Sequence, residues 1–268
     1  MGGMSVFKAL AELEEKGQGG TLCTILSSQG STPRHSGSRM LVYPDGRIIG
    51  TVGGGELENR VIQEAIEAYR QRTSKRLVYS MVNPSEGDPG VCGGTVEVYV
   101  EPILPKGRLL IIGGGHVGRA VAHLGKWLGF RIAISDDRVE FCNPENIPDA
   151  DEFYPVPIRD IPTKTTIGPE TFLILVTRGV SVDVEGIPAL LKCDAGYFGI
   201  IGSKKRWLTT VKALREQGVD PVLLGKIRSP IGLDIGAETP EEIAVSILAE
   251  VLMIKNQASG KPKQYKDF

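Results

Sequence analysis

The sequence predicts an α/β protein in which an N-terminal mixed α+β domain is followed by a Rossmann-like parallel-sheet domain. Three observations predict it. Gly113, Gly115 and Gly118 form a G-x-G-x-x-G run between an apolar strand and a helix. From Arg108 onward, apolar runs alternate with helical segments, the pattern of βαβ units and a parallel sheet. Before that point the strands are separated by glycine-rich turns and one long amphipathic helix. EPILPKG (101–107) carries two prolines and little periodicity, and divides the two patterns. The expected organisation is an N-terminal domain over 1–101, a linker over 102–107, a nucleotide-binding domain over 108–258 and a tail over 259–268.

Taken in order, Ser5 caps a first helix whose apolar residues Val6, Phe7, Ala9, Leu10 and Leu13 recur at helical spacing, ending near Gly17. TLCTILSS (21–28) is a strand that breaks into a Gly/Ser/Pro loop. SRMLVYP and RIIGTV flank Asp45-Gly46, the dipeptide that favours a two-residue hairpin turn. ELENRVIQEAIEAYRQR reads as a long helix, RLVYSMV as a strand and TVEVYVE as a half-exposed strand. In the second half RLLIIG, FRIAIS, DEFYPV, FLILVT and YFGII are strands, with helices over HVGRAVAHLGKWLG, around 183–192 and over 203–217. Thr239, Pro240 and Glu242 open the last helix with a capping box and a proline at its first position.

Hydrophobic residues at 41% and charged residues at 24% are those of a folded globular protein. A net charge of −1 leaves no broad footprint for nucleic acid. The N-terminal stretch has no apolar core of a signal peptide, and no run of about 18 apolar residues occurs. Neither export nor a membrane partner is expected, and the expected location is the cytoplasm. Cys23, Cys92, Cys142 and Cys193 form no CxxC pair, against a zinc knuckle or a disulfide framework.

In the second glycine triplet, Gly113 permits the tight turn, Gly115 lets a pyrophosphate approach the backbone and Gly118 lets the helix pack on the sheet. Asp136 ends the next strand, where an acid binds a ribose hydroxyl; Arg138 beside it would suit a 2′-phosphate, and the two options stand open. His116, in the first helical turn, is either a neutral hydrogen-bonding group or a spacer. Ser203 and Lys204 begin a helix at the carboxyl end of a strand, so Lys204, Lys205 and Arg206 either meet a phosphate or form a solvated face.

The first triplet, Gly53-Gly54-Gly55, differs. Glu56 and Glu58 already complement the helix dipole there and would repel a phosphate, so the loop is either a plain tight turn or one that admits a flat, hydrogen-bonding ligand. STPRHSGSRM places Arg34, His35 and Arg39 among small residues, a candidate anion loop. Cys92 lies among glycines, where a thiol is accessible to a soft metal or to sulfur, whereas Cys23 reads as core.

GSTPRHSGSRMLVYPDGRIIGTVGGGELE, VCGGTVEVYVEP, LLIIGGGHVGRAVA, SDDR, YFGIIGSKKR and SPIGLDIGAETPEEIAVSILAE together resemble the xanthine dehydrogenase accessory factor family, the XdhC/CoxI group, over nearly the whole chain. The resemblance implies a binding protein for the molybdenum cofactor (molybdopterin, as mononucleotide or dinucleotide) that helps deliver its sulfurated form to a molybdenum hydroxylase such as xanthine dehydrogenase. It implies no turnover and no catalytic residue of its own. By carry-over Gly53, Gly54, Gly55 and Glu56 border the cofactor and Cys92 is the thiol near it, a candidate metal ligand, with sulfur carriage, molybdenum binding or neither standing open. Many members have two adjacent cysteines at Cys92, and many have a histidine at Val180; this chain departs at both. The expected partners are the hydroxylase apo-enzyme, a cysteine desulfurase and a second copy in a homodimer. One expected arrangement shares a single ligand between the two glycine loops, and its rival leaves NAD(P) or another nucleotide on the second. An NAD(P)-dependent oxidoreductase is the alternative function.

Overall fold

The computed structural model describes residues 5–81 and 93–264, and the chain divides into two compact units, Met1–Lys106 and Gly107–Phe268. In the first unit, helix α1 (Val6–Lys16) starts at Ser5, whose hydroxyl accepts from the Lys8 N–H, and stops at Gly17 in the left-handed conformation. Strands β1 (Gly20–Gln29), β2 (Arg39–Val42), β3 (Ile48–Gly50), β4 (Lys75–Ser80) and β5 (Thr95–Ile103) form an antiparallel sheet in the order β3-β2-β1-β5-β4. Helix α2 (Gly55–Gln71) lays Leu57, Val61, Ala65 and Ala68 on that sheet. There they bury Cys23, Ile25, Met40, Val96, Val98 and Val100 in a common core. The spacing of those four helix residues is what packs one face of a helix against a sheet.

Two local details differ from expectation. The turn between β2 and β3 holds three residues, Pro44, Asp45 and Gly46, because the Tyr43 N–H donates to the Arg47 carbonyl and Gly46 takes a positive φ of 85°. Strand β5 also runs on through Pro102 to Ile103, paired with β1. Among the described residues it has no partner on the β4 side beyond Val100, so the N–H that proline lacks is missed by no described neighbour.

The second unit is a parallel sheet of β6 (Arg108–Ile112), β7 (Arg131–Ser135), β8 (Glu152–Tyr154), β9 (Thr171–Leu175) and β10 (Tyr197–Ile200), in the order β10-β9-β6-β7-β8. All five residues of β9 are buried, as in a strand covered on both faces. Alternation within β6 assigns the layers. Leu109 and Ile111 pack with α3 (His116–Trp127) and α8 (Pro240–Lys255); Leu110 and Ile112 pack with α5 (Val180–Leu190) and α6 (Lys204–Glu216). Short helices α4 (Ile161–Lys164) and α7 (Pro221–Leu224) complete the second layer. The capping box of α8 forms as expected, Thr239 accepting from the Glu242 N–H and Glu242 from the Thr239 N–H. Among the described residues no helix is long and apolar enough to cross a membrane. The order places a topological switch between β6 and β9, where connections leave in opposite directions and open a crevice at the strands' carboxyl ends.

Candidate functional site

The crevice is a cavity of about 210 Å³ lined by Gly113, Gly115, Asp136 and Arg138 together with Pro157, Ile158, Thr177, Arg178 and Val182. The glycines of the second triplet have separate tasks. A Cβ on Gly113, whose φ is 118°, would lie 2.5 Å from the Val176 carbonyl oxygen, and one on Gly118 would lie 1.9 Å from the Gly113 oxygen. Both are required by the packing of backbone on backbone. Gly115 has an ordinary φ of −74° and nothing within 4 Å of a Cβ. It faces the cavity, so the space it leaves is space for a ligand.

Asp136 stands at the end of β7 with its side chain 3% exposed. One oxygen, Oδ2, accepts from the Gly114 N–H at 3.0 Å and from Arg138 Nη2 at 2.9 Å. The other, Oδ1, accepts from the Arg138 N–H at 3.1 Å and from Arg138 Nε at 2.9 Å. Next to it, Asp137 receives both Nη atoms of Arg178, at 2.6 and 2.8 Å. That hydrogen-bonded guanidinium holds the Asp137 carboxyl down to about 2. The bonds to Asp136 push the Arg138 guanidinium up.

Arg206 does not point outward with its neighbours. Its Nη2 donates to Asp183 Oδ2 and to Thr177 Oγ1, both at 2.7 Å, and Nη1 donates to the Thr177 carbonyl at 3.2 Å. Thr177 also donates to Asp183. Ser203 caps α6 by accepting from the Arg206 N–H, and Lys204 and Lys205 are exposed; none of the three lines the cavity.

His116 belongs to a different hollow of about 550 Å³, shared with Arg119, His123, Asp149 and Glu241 on the α3–α8 side of the sheet. There His123 Nδ1 lies 3.0 Å from Asp149. The structure thus brings Gly113, Gly115 and Asp136 together and leaves His116, Ser203 and Lys204 apart.

In the first unit, Gly53, Gly54 and Gly55 all take positive φ, and a Cβ on Gly53 would lie 3.0 Å from Pro33 of the STPRHSGSRM loop. Gly54 and Gly55 have no atom within 4 Å of a Cβ, and Arg34 is exposed. Glu58 answers the loop's donors from within: its Oε2 accepts from the Val52 N–H at 3.1 Å, the Gly54 N–H at 3.2 Å and the Thr51 hydroxyl. Glu56 points out to Arg60 at 3.0 Å. Cys92 lies outside the described residues. Burial pushes the Cys23 thiol up to about 12, and raises Cys142 and Cys193 as well.

Residues 109–251, more than half of the chain, match the XdhC Rossmann domain, and residues 13–80 match the XdhC and CoxI family. The chain belongs to the XdhC family. YqeB of Escherichia coli K12 is 36% identical over 259 residues, which cover 96% of this chain and 47% of YqeB, so the chain spans about half the length of that relative. A probable xanthine dehydrogenase subunit of Bacillus subtilis 168 is 24% identical over 333 residues, covering 95% of this chain and 98% of that one. The molybdenum cofactor insertion chaperone PaoD of Escherichia coli K12 is 22% identical over 281 residues, covering 94% and 88%. The crystal structure of a xanthine dehydrogenase from Bacillus halodurans shares the fold with a TM-score of 0.51 at 24% identity, over 97% of this chain and 98% of that one.

In the sequence Arg138 is legible only as an alternative to Asp136, and Arg178 only as part of a departure from the family pattern. Val156, Pro157, Ile158 and Val182 carry no motif that marks them. Their available signal is position, since the first three follow β8 and ligands gather beyond the carboxyl ends of parallel strands.

Proposed function

We propose that this member of the XdhC family is a maturation factor that binds the molybdenum cofactor. In this reading it helps to sulfurate the cofactor and deliver it to a molybdenum hydroxylase apo-enzyme, with a cysteine desulfurase supplying sulfur. The observation that carries the reading is the likeness to PaoD, named as a cofactor insertion chaperone, over 94% of this chain. The residues present suit such a ligand. In the first unit Gly54 and Gly55 leave open backbone that a flat polar pterin can approach, on a loop whose Gly53 meets Pro33, the sequence neighbour of the exposed Arg34; in the second unit, taken by itself, Gly115 leaves open backbone that a phosphate can approach. When bound, the cofactor supplies the molybdenum centre that its client enzyme uses. Among the described cysteines burial suppresses every thiolate, which favours Cys92 for contact with sulfur or metal.

The cavity of the second unit favours nucleotide binding, either of a nucleotide carried by the cofactor or of NAD(P) held separately. An NAD(P)-dependent oxidoreductase would need a proton-transfer group at that cavity; its described lining offers no histidine, its carboxylates Asp136, Asp137 and Glu185 are each paired with an arginine, and His116 lies in the other hollow. The test is anaerobic purification, denaturation and identification of released small molecules by mass spectrometry and pterin fluorescence, with titrations of molybdenum cofactor and NAD(H). A released molybdopterin, or cofactor binding lost in Cys92→Ala, is the expected result. A nicotinamide with no affinity for pterin would replace the chaperone reading with the oxidoreductase.

A further inference from the structure

Asp136 occupies the position from which an acid reads a ribose in this kind of fold, yet its carboxylate is already filled. Four N–H groups reach it, from Gly114 and from the backbone N–H, Nε and Nη2 of Arg138. A carboxylate offers about four lone-pair sites, so nothing remains for two ribose hydroxyls unless Arg138 lets go. Arg138 is held on its other side too. Its guanidinium carbon lies 3.9 Å from the centroid of the Phe141 ring. Arg138 lines the cavity and Phe141 does not, so of this pair it is the planar guanidinium, and not the ring, that is offered to the open space. Apolar atoms of Val156, Pro157, Ile158 and Val182 line the cavity as well. A flat cation with apolar neighbours makes a slot for a planar base, because guanidinium groups stack on aromatic faces.

The same pairing counts against a 2′-phosphate. The two arginines at the rim, Arg138 and Arg178, are each bound by an aspartate, and those four charges sum to zero. A dianion placed there would meet two carboxylates for every two guanidinium groups.

We infer that this cavity recognises a nucleoside diphosphate through its base, stacked on Arg138, and is indifferent to the ribose 2′ position. Asp136 is a positioning residue that holds Arg138 flat and ties it to the glycine loop through Gly114. The inference rests on the reading that the second unit binds a nucleotide; it adds which part of the nucleotide is read. The ligand's source, a free nucleotide or the nucleotide part of an extended cofactor, shows in which base is preferred.

The experiment is calorimetric titration of the full chain with ADP, 2′-deoxy-ADP, CDP, NAD, NADP and inorganic pyrophosphate. ADP and 2′-deoxy-ADP should bind within about twofold of each other, NADP no tighter than NAD, and pyrophosphate at least tenfold more weakly than ADP. Tighter ADP would identify a purine nucleotide as the natural source and tighter CDP a pyrimidine one, and either agrees with reading by the base. Arg138→Lys keeps the charge and removes the plate, so it should weaken ADP and 2′-deoxy-ADP alike, by about tenfold for one lost base stack. A tenfold loss on removing the 2′-hydroxyl, or tighter NADP than NAD, would overturn the inference and leave nucleotide binding standing. Failure of every nucleotide to bind would overturn both, and the molybdenum cofactor titration would still report on the chaperone reading. The comparison of ADP with 2′-deoxy-ADP uses unaltered protein and does not depend on how Arg138→Lys folds.

Discussion

Arg206 reaches from the first turn of α6 to the fully buried carboxylate of Asp183, with Nη2 at 2.7 Å from Oδ2. Removing the arginine leaves a buried charge unpaired, which costs about 3–5 kcal/mol, whereas an exposed pair costs about 0–1 kcal/mol. Arg206→Ala should therefore lower stability by about 3 kcal/mol in urea titration, and Lys205→Ala should change it by less than about 0.5 kcal/mol. Equal effects would mean that Asp183 is uncharged or solvated in the native state.

The two glutamates after the first glycine triplet should separate just as clearly. Glu58 satisfies two backbone donors and a hydroxyl, while Glu56 makes one exposed pair with Arg60. Glu58→Ala should cost about 2 kcal/mol by orphaning those donors, and Glu56→Ala about 0.5 kcal/mol or less. Glu58→Gln, which keeps an acceptor oxygen, should recover part of the loss. Thermal melts of the three variants decide it.

The glycines of the second triplet predict a split between folding and binding. Gly118→Ala drives a methyl into the Gly113 carbonyl oxygen and should destabilise or prevent folding. Gly115→Ala enters open space at an unstrained φ and should leave the melting temperature within about 2 °C. Its methyl projects where a ligand would approach, so ADP affinity should fall about tenfold or more for a misfit of that size. Normal ADP binding by Gly115→Ala would place the phosphates elsewhere.

Asp137 should titrate near 2 instead of its ordinary 3.8, held there by Arg178. Its folded value lies below its unfolded value, so the pair adds stability above about pH 4 and that contribution disappears as pH falls toward 2. In Arg178→Ala the carboxyl carbon signal of Asp137, followed by NMR, should shift its midpoint up toward 3.8. An unchanged midpoint would show that the ion pair is absent in solution.

The thiol of Cys23, raised to about 12 by burial, should resist iodoacetamide at pH 7.5 in native protein and react once the chain is unfolded. Peptide mapping before and after urea reads both states. Labelling of Cys23 in the native state would mean that the core of the first unit opens readily.

Local chemistry made much of the fold legible. Ser5, Gly17 and the Thr239–Glu242 box act within one helical turn, and β6, β9 and β10 announce themselves as short apolar runs between helices. Asp45-Gly46 was legible as a turn but not as a three-residue one, because both turn lengths place glycine at positive φ. Pro102 looked like a linker because its strand's edge, where a missing N–H does no harm, exists only in the folded sheet. The site divides the same way. Gly113, Gly115 and Asp136 fall within one strand–turn–helix–strand unit, and their spacing carries the geometry. Arg206 in a run of basic residues looks like surface or anion contact until Asp183, on another helix, supplies a reason to turn inward. Pro157, Ile158 and Val182 come from segments that only the strand order β8-β7-β6-β9 gathers around one space.

The paired rim of the cavity has a kinetic side. With Asp136 and Asp137 each answering an arginine, the entrance projects little long-range field, and an anionic ligand would arrive by unaided diffusion. Its rate of association should then stay nearly constant between low and physiological ionic strength, where a steered encounter would slow as the screening length shrinks to about 8 Å. A site built this way would fill at a pace set by ligand concentration, and would be little disturbed by the salt around it.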